Sequence, residues 1–73
     1  MSCFPERLKE IRESRGITQK AISEYLQISE SGYQYYEHGK RETNFATLVK
    51  ISNLLNVSVD YLLGLTDNPE CNL

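Results

Sequence analysis

Apolar residues recur along this chain at helical spacing, and no convincing strand appears. Five helical stretches follow, at about 4–15, 18–26, 29–37, 45–56 and 58–63. In the first, Phe4, Leu8 and Ile11 stand at i, i+4 and i+7. Pro5 suits a first helical turn, and Gly16 is a natural stop. Thr18 opens the second as an N-cap, with Ala21, Ile22, Tyr25 and Leu26 as its expected buried stripe. Ser29 caps the third, where Glu30 favours the positive end of the helix dipole, and the helix stops before Gly39. Asn44 caps the fourth, whose stripe is Leu48, Ile51, Leu54 and Leu55, and Asn56 ends it. Ser58 caps a short fifth helix containing Tyr61, Leu62 and Leu63, closed by Gly64.

Only two or three residues separate the second and third helices, the length of a tight helix-turn-helix. The pattern therefore predicts a compact all-α domain over residues 4–65. Residues 66–73, with turn chemistry in Asp67-Asn68-Pro69, are expected to form a short, loose tail.

Size and composition narrow the function classes. The chain has 73 residues, 40% of them hydrophobic, enough for one small core and too few to enclose a deep substrate pocket as well. No apolar run approaches a membrane span, and the N-terminus lacks the apolar segment of a signal peptide. The expectation is a soluble cytoplasmic protein, complete from its first methionine. Cys3 and Cys71 read as two reduced thiols, with a bridge between the termini or between subunits as the alternative. A single histidine and no clustered ligands leave no metal site, cofactor or catalytic constellation to propose.

Net charge is -2, which on its own argues against nucleic acid. Residues 1–50, however, hold all eight basic residues against seven acidic ones, and residues 51–73 hold three acids and no base. The acidity sits in the C-terminal third.

The pieces "RGITQ", "YEHGKR" and "LLNVSVDYLLG", flanking the short-linked helix pair, together resemble the lambda repressor/Cro-like (Xre) helix-turn-helix family from about Leu8 to Gly64. The resemblance implies a five-helix domain that binds double-stranded DNA with its third helix in the major groove. It also implies a bacterial or phage-type regulator at the nucleoid, commonly a repressor that binds a palindromic operator as a homodimer. Gln19 then falls where the family touches phosphate and helps hold helix three. Arg12 and Glu37 fall on a structural ion pair. Gly39, Lys40 and Arg41 fall on a phosphate-contacting loop.

On the third helix, Glu30, Ser31, Gly32 and Tyr35 are the base-reading candidates. Ser29, Gln34 and His38 join the phosphate candidates. Glu30 either accepts from a cytosine amino group or only complements the helix dipole. Tyr33 and Tyr36 fall on core positions, with hydroxyls expected to reach the surface. Any dimer is expected to use Leu63, Leu65 and Leu73. Two positions depart from the family. Gln27 stands in the turn where glycine is frequent, and Ser23 replaces a small alanine. No lysine or arginine lies within the third helix. That absence keeps a second class open, an antitoxin or regulator antagonist that uses this fold to bind a protein partner.

Overall fold

The computed structural model describes residues 3–70. Leu73 and Cys71, named above for the dimer and for a bridge, lie outside them. The described residues form five helices, α1 (Phe4–Ser14), α2 (Gln19–Leu26), α3 (Glu30–Glu37), α4 (Phe45–Leu55) and α5 (Val59–Leu62). No strand occurs among the described residues. Four helices start the same way. The side chains of Thr18, Ser29, Asn44 and Ser58 accept the backbone N–H three residues on, at 3.0, 3.0, 2.8 and 3.0 Å. Each thereby satisfies a donor that has no partner within its helix.

All five helices also stop the same way. A residue in the left-handed region follows each last turn: Gly16, Gln27, Gly39, Asn56 and Gly64. The next N–H then bonds the carbonyl five residues back, as from Ile28 to Ser23 at 3.0 Å and from Lys40 to Tyr35 at 2.9 Å. This closure brings the following residue back against the helix end. Val57 is fully buried as a result, and Ile17 and Ile28 pack on the core's edge.

Gln27 pays for this geometry. Its φ is 60°, where a Cβ crowds the following carbonyl at roughly 1–2 kcal/mol. Gln27→Gly should relieve that strain, less the extra freedom that glycine gives the unfolded chain. A net gain of roughly 0.5–1 kcal/mol is expected as a higher urea midpoint with an unchanged slope. An unchanged or lower midpoint would show that Gln27 makes a compensating contact.

The core is one cluster: Phe4, Leu8 and Ile11 from α1, Ile22 and Leu26 from α2, Tyr33 and Tyr36 from α3, Leu48, Ile51 and Leu55 from α4, then Val57 and Leu62. The rings of Tyr33 and Tyr36 meet edge to face with centroids 6.2 Å apart, a favourable quadrupole arrangement. Ser23 is buried on α2, and its hydroxyl donates to the Lys20 carbonyl at 2.7 Å. A larger side chain there would hold α3 away.

Two expectations are corrected. Ala21 and Tyr25 do not belong to the buried stripe of α2; both are exposed, and Ile22, Ser23 and Leu26 face inward. Two adjacent i, i+4 rows, 21/25 and 22/26, were equally apolar, and the position of α3 decides between them. Nor are residues 66–70 loose. Arg7 donates to the carbonyls of Tyr61 (2.7 Å) and Thr66 (2.5 Å) and to Asp67 Oδ1 (2.5 Å). Its guanidinium lies 4.3 Å from the centre of the Tyr61 ring. Farther along, the Pro69 carbonyl accepts the Ser58 N–H at 2.9 Å. An arginine and an aspartate 60 residues apart thus hold this segment against α1 and α5.

Candidate nucleic-acid interface

Beneath the outer face of α3 lies a buried polar network centred on Glu37. Arg12 Nε donates to Glu37 Oε2 at 2.5 Å and Arg12 Nη2 to Oε1 at 3.3 Å. Arg12 Nη1 donates to the Ile17 carbonyl at 2.7 Å. Tyr33, one turn before Glu37 on α3, donates its hydroxyl to Oε2 at 2.5 Å. Gln19 Nε2, at the first turn of α2, donates to Oε1 at 3.1 Å. Glu37 thus ties α1, α2 and α3 together at one carboxylate, and both members of its ion pair with Arg12 are buried.

The charges follow from this geometry. Burial by itself would raise the Glu37 carboxyl; the hydrogen bonds from Arg12, Tyr33 and Gln19 outweigh it and hold the carboxyl below its ordinary value. The Glu37 hydrogen bond raises Arg12, against the opposing effect of burial. Burial, reinforced by Glu37, raises the Tyr33 hydroxyl far above the usual tyrosine range, so it stays neutral and donates. The expectation that the Tyr33 hydroxyl reaches the surface is therefore overturned. The residue is fully buried because its hydroxyl finds a carboxylate inside. Tyr33 and Glu37 stand at i, i+4 on one helix, and that spacing was the available signal.

Outside this network, α3 presents Ser29, Glu30, Ser31 and Tyr35, all exposed. Tyr35 is 48% exposed, in contrast to its two buried neighbours in sequence type, Tyr33 and Tyr36. Ser29 Oγ accepts from the Gly32 N–H and lies 3.5 Å from Ser31 Oγ. A Cβ at Gly32 would come within 3.0 Å of Ser29 Oγ. Glycine at this position thus protects the cap in addition to clearing space on the outer face.

His38, Gly39, Lys40 and Arg41 follow as an exposed turn. Gly39 has φ 73°, and a Cβ on it would meet Pro5 Cγ at 3.4 Å. The turn is thereby seated on the start of α1. Tyr35, Lys40 and Arg41 line one shallow depression at the end of α3. Gln19 and Gln34 are half-buried and bonded to each other, Gln34 Nε2 donating to Gln19 Oε1 at 3.1 Å. The fold therefore brings the α2 start, the outer face of α3 and the basic turn onto one side of the molecule.

The helix-turn-helix family model matches residues 8–62. This chain belongs to the lambda repressor-like helix-turn-helix family. It is 48% identical over 60 residues to the SPbeta prophage-derived HTH-type transcriptional regulator YonR of Bacillus subtilis, covering 82% of this chain and 56% of that protein. Among solved structures, the P22 c2 repressor in complex with a synthetic operator superposes with a TM-score of 0.76 at 30% identity, covering 82% of this chain and 91% of that one. The SinR protein of the SinR–SinI complex superposes at 0.74 with 26% identity, covering 82% and 59%. The helix-turn-helix chain described here spans about half the length of the curated relatives it matches.

Outside α3, this helix-turn-helix domain exposes several apolar side chains: Phe45 (88%), Leu65 (74%), Val49 (51%) and Leu63 (46%). Phe45, Leu48 and Leu63 line a groove of about 340 Å³ with Arg41 and Glu42 on its rim. Of the residues expected at a dimer contact, Leu63 and Leu65 are thus exposed. Phe45 reads in the sequence as an ordinary first-turn residue of α4. No helix among the described residues is long and apolar enough to cross a membrane.

Proposed function

We propose that this chain is the sequence-specific DNA-binding module of a small bacterial or phage-type transcriptional repressor, working on double-stranded DNA in the cytoplasm. The observation that carries the reading is the outer face of α3. It is polar and exposed, locked from behind by the buried Arg12–Glu37 pair, and ends in Lys40 and Arg41. In this reading α3 enters the major groove, where Glu30, Ser31, Gly32 and Tyr35 face base edges. Gln19, Ser29, His38, Gly39, Lys40 and Arg41 position the domain on the phosphates.

Two copies pair through Leu63, Leu65 and the Phe45 groove. The pair reads the two halves of a palindromic operator about one helical turn apart. Membership in a family of DNA-binding regulators, and a relative of known structure that binds its operator, support this reading.

A second reading has one observation in its favour. Glu30 sits on the reading face, and α3 itself carries no lysine or arginine, as suits an antitoxin or antagonist that binds a basic protein partner. SinR is a family relative known in complex with a protein, SinI.

A fluorescence anisotropy titration separates the two. The probes are DNA from upstream of the protein's own gene and a scrambled control, each at low and moderate salt. Tight binding to the first alone, weakening steeply with salt, is expected. Equal weak binding to both, together with recovery of a stoichiometric complex with a co-encoded protein, would favour the second reading.

A further inference from the structure

The Gln34 side chain sits on the reading face and is fixed in orientation from inside the protein. Two hydrogen bonds in series set it. Glu37 is ionised and can only accept hydrogen bonds, so the group that Gln19 turns toward it must be the amide nitrogen; Gln19 Nε2 donates to Glu37 Oε1 at 3.1 Å. The Gln19 carbonyl oxygen is thereby directed the other way, where it can only accept. The group that Gln34 turns toward it is again a nitrogen, at 3.1 Å. The carboxylate thus imposes its polarity through two carboxamides in turn.

What remains of Gln34 is its carbonyl oxygen and the second hydrogen of its amide nitrogen. No hydrogen bond reaches Gln34 Oε1 within the protein, and no buried side-chain oxygen or nitrogen lacks a partner among the described residues. The oxygen therefore lies where solvent reaches it. Gln34 follows Ser31 by three residues and Glu30 by four, so it shares their face of α3. Its remaining amide hydrogen could donate to a phosphate, but the outward carbonyl is repelled by phosphate oxygen. It is matched instead by the amino groups that adenine and cytosine display in the major groove, and opposed by the carbonyl oxygens of guanine and thymine.

We infer that Gln34 is a specificity-determining residue rather than a phosphate contact. It accepts from an adenine N6 or cytosine N4 amino group at one position of each half-site, with Gln19 and Glu37 as the residues that position it. The inference rests on the DNA-binding reading above.

The test is selection of binding sites from random duplex DNA with the wild-type protein, followed by competition among all base pairs at each selected position. Wild type is expected to prefer an amino-bearing base about tenfold at one position. Gln34→Met should abolish that preference and leave the other positions unchanged. Gln34→Glu keeps the outward acceptor and should keep the preference while weakening all sequences through its charge. Gln19→Met frees the Gln34 amide to turn over and should erode the preference at the same position. If Gln34→Met weakens every sequence alike, Gln34 is a phosphate contact and the inference fails. It fails equally if no position changes, or if Gln19→Met leaves the preference intact. Selection of no sequence by the wild-type protein would instead overturn the DNA-binding reading itself, and this inference with it.

Discussion

Glu37→Ala is expected to lower the melting temperature by at least about 12 °C. The substitution leaves Arg12 charged and buried without its partner. It also strips the Tyr33 hydroxyl and the Gln19 amide of the oxygens they bond. Removing one member of a buried ion pair costs about 3–5 kcal/mol. A domain of this length has only about 4–11 kcal/mol to lose, and each kcal/mol moves the melting point of so small a domain by about 4–8 °C. Replacing both charges with apolar groups, Arg12→Met with Glu37→Leu, should be less damaging than Glu37→Ala alone, because no charge is then left buried and unpaired. Thermal melts by circular dichroism decide the matter. A single variant melting within a few degrees of wild type would mean that water or a shifted Arg12 restores the lost contacts.

The same carboxylate makes stability depend on acid. Its folded value lies below the ordinary 4.5, so the unfolded chain binds the proton more readily. The stabilisation is fully present above about pH 4.5 and is lost as pH falls through the depressed folded value. Arg12, raised from an already high value, stays charged throughout this window. Glu37→Gln should flatten the decline in melting temperature below pH 4.5.

The second large effect concerns DNA. Lys40→Ala and Arg41→Ala are each expected to weaken binding to all sequences alike, by about 1.5–3 kcal/mol if each cation bonds a phosphate. Together they should make the slope of log affinity against log salt shallower by about 1.8, since each phosphate neutralised contributes roughly 0.9. Tyr35→Ala should behave differently: the ranking of sequences changes while the salt slope stays the same. Titrations of one operator and its base-pair variants at several salt concentrations give both quantities. Equal effects of Tyr35→Ala and Lys40→Ala on every sequence would remove the distinction between reading and anchoring residues.

The helix starts were legible because a capping side chain and the N–H it serves are three residues apart. Thr18, Ser29, Asn44 and Ser58 are all local signals of this kind. The stops at Gly16, Gly39 and Gly64 are local too. Gln27 was legible only against the family's frequent glycine, and its positive φ follows from a closure that all five helices share. The Arg12–Glu37 tie came from the resemblance, since nothing in a charge pattern joins residues 25 positions apart.

By itself, then, the sequence determined where five helices begin and end, which faces are broadly apolar, and which family they compose. Those properties depend on backbone bonds and spacings within about one turn. Only the tertiary structure decided which of two apolar rows on α2 is buried, that the Tyr33 hydroxyl turns inward, that Arg7 holds residues 66–67, and that Glu37 orients Gln19 and Gln34. Each of these joins groups on different elements or selects between equivalent rotamers. The energy that selects them comes from burial and from a charge supplied by another part of the chain.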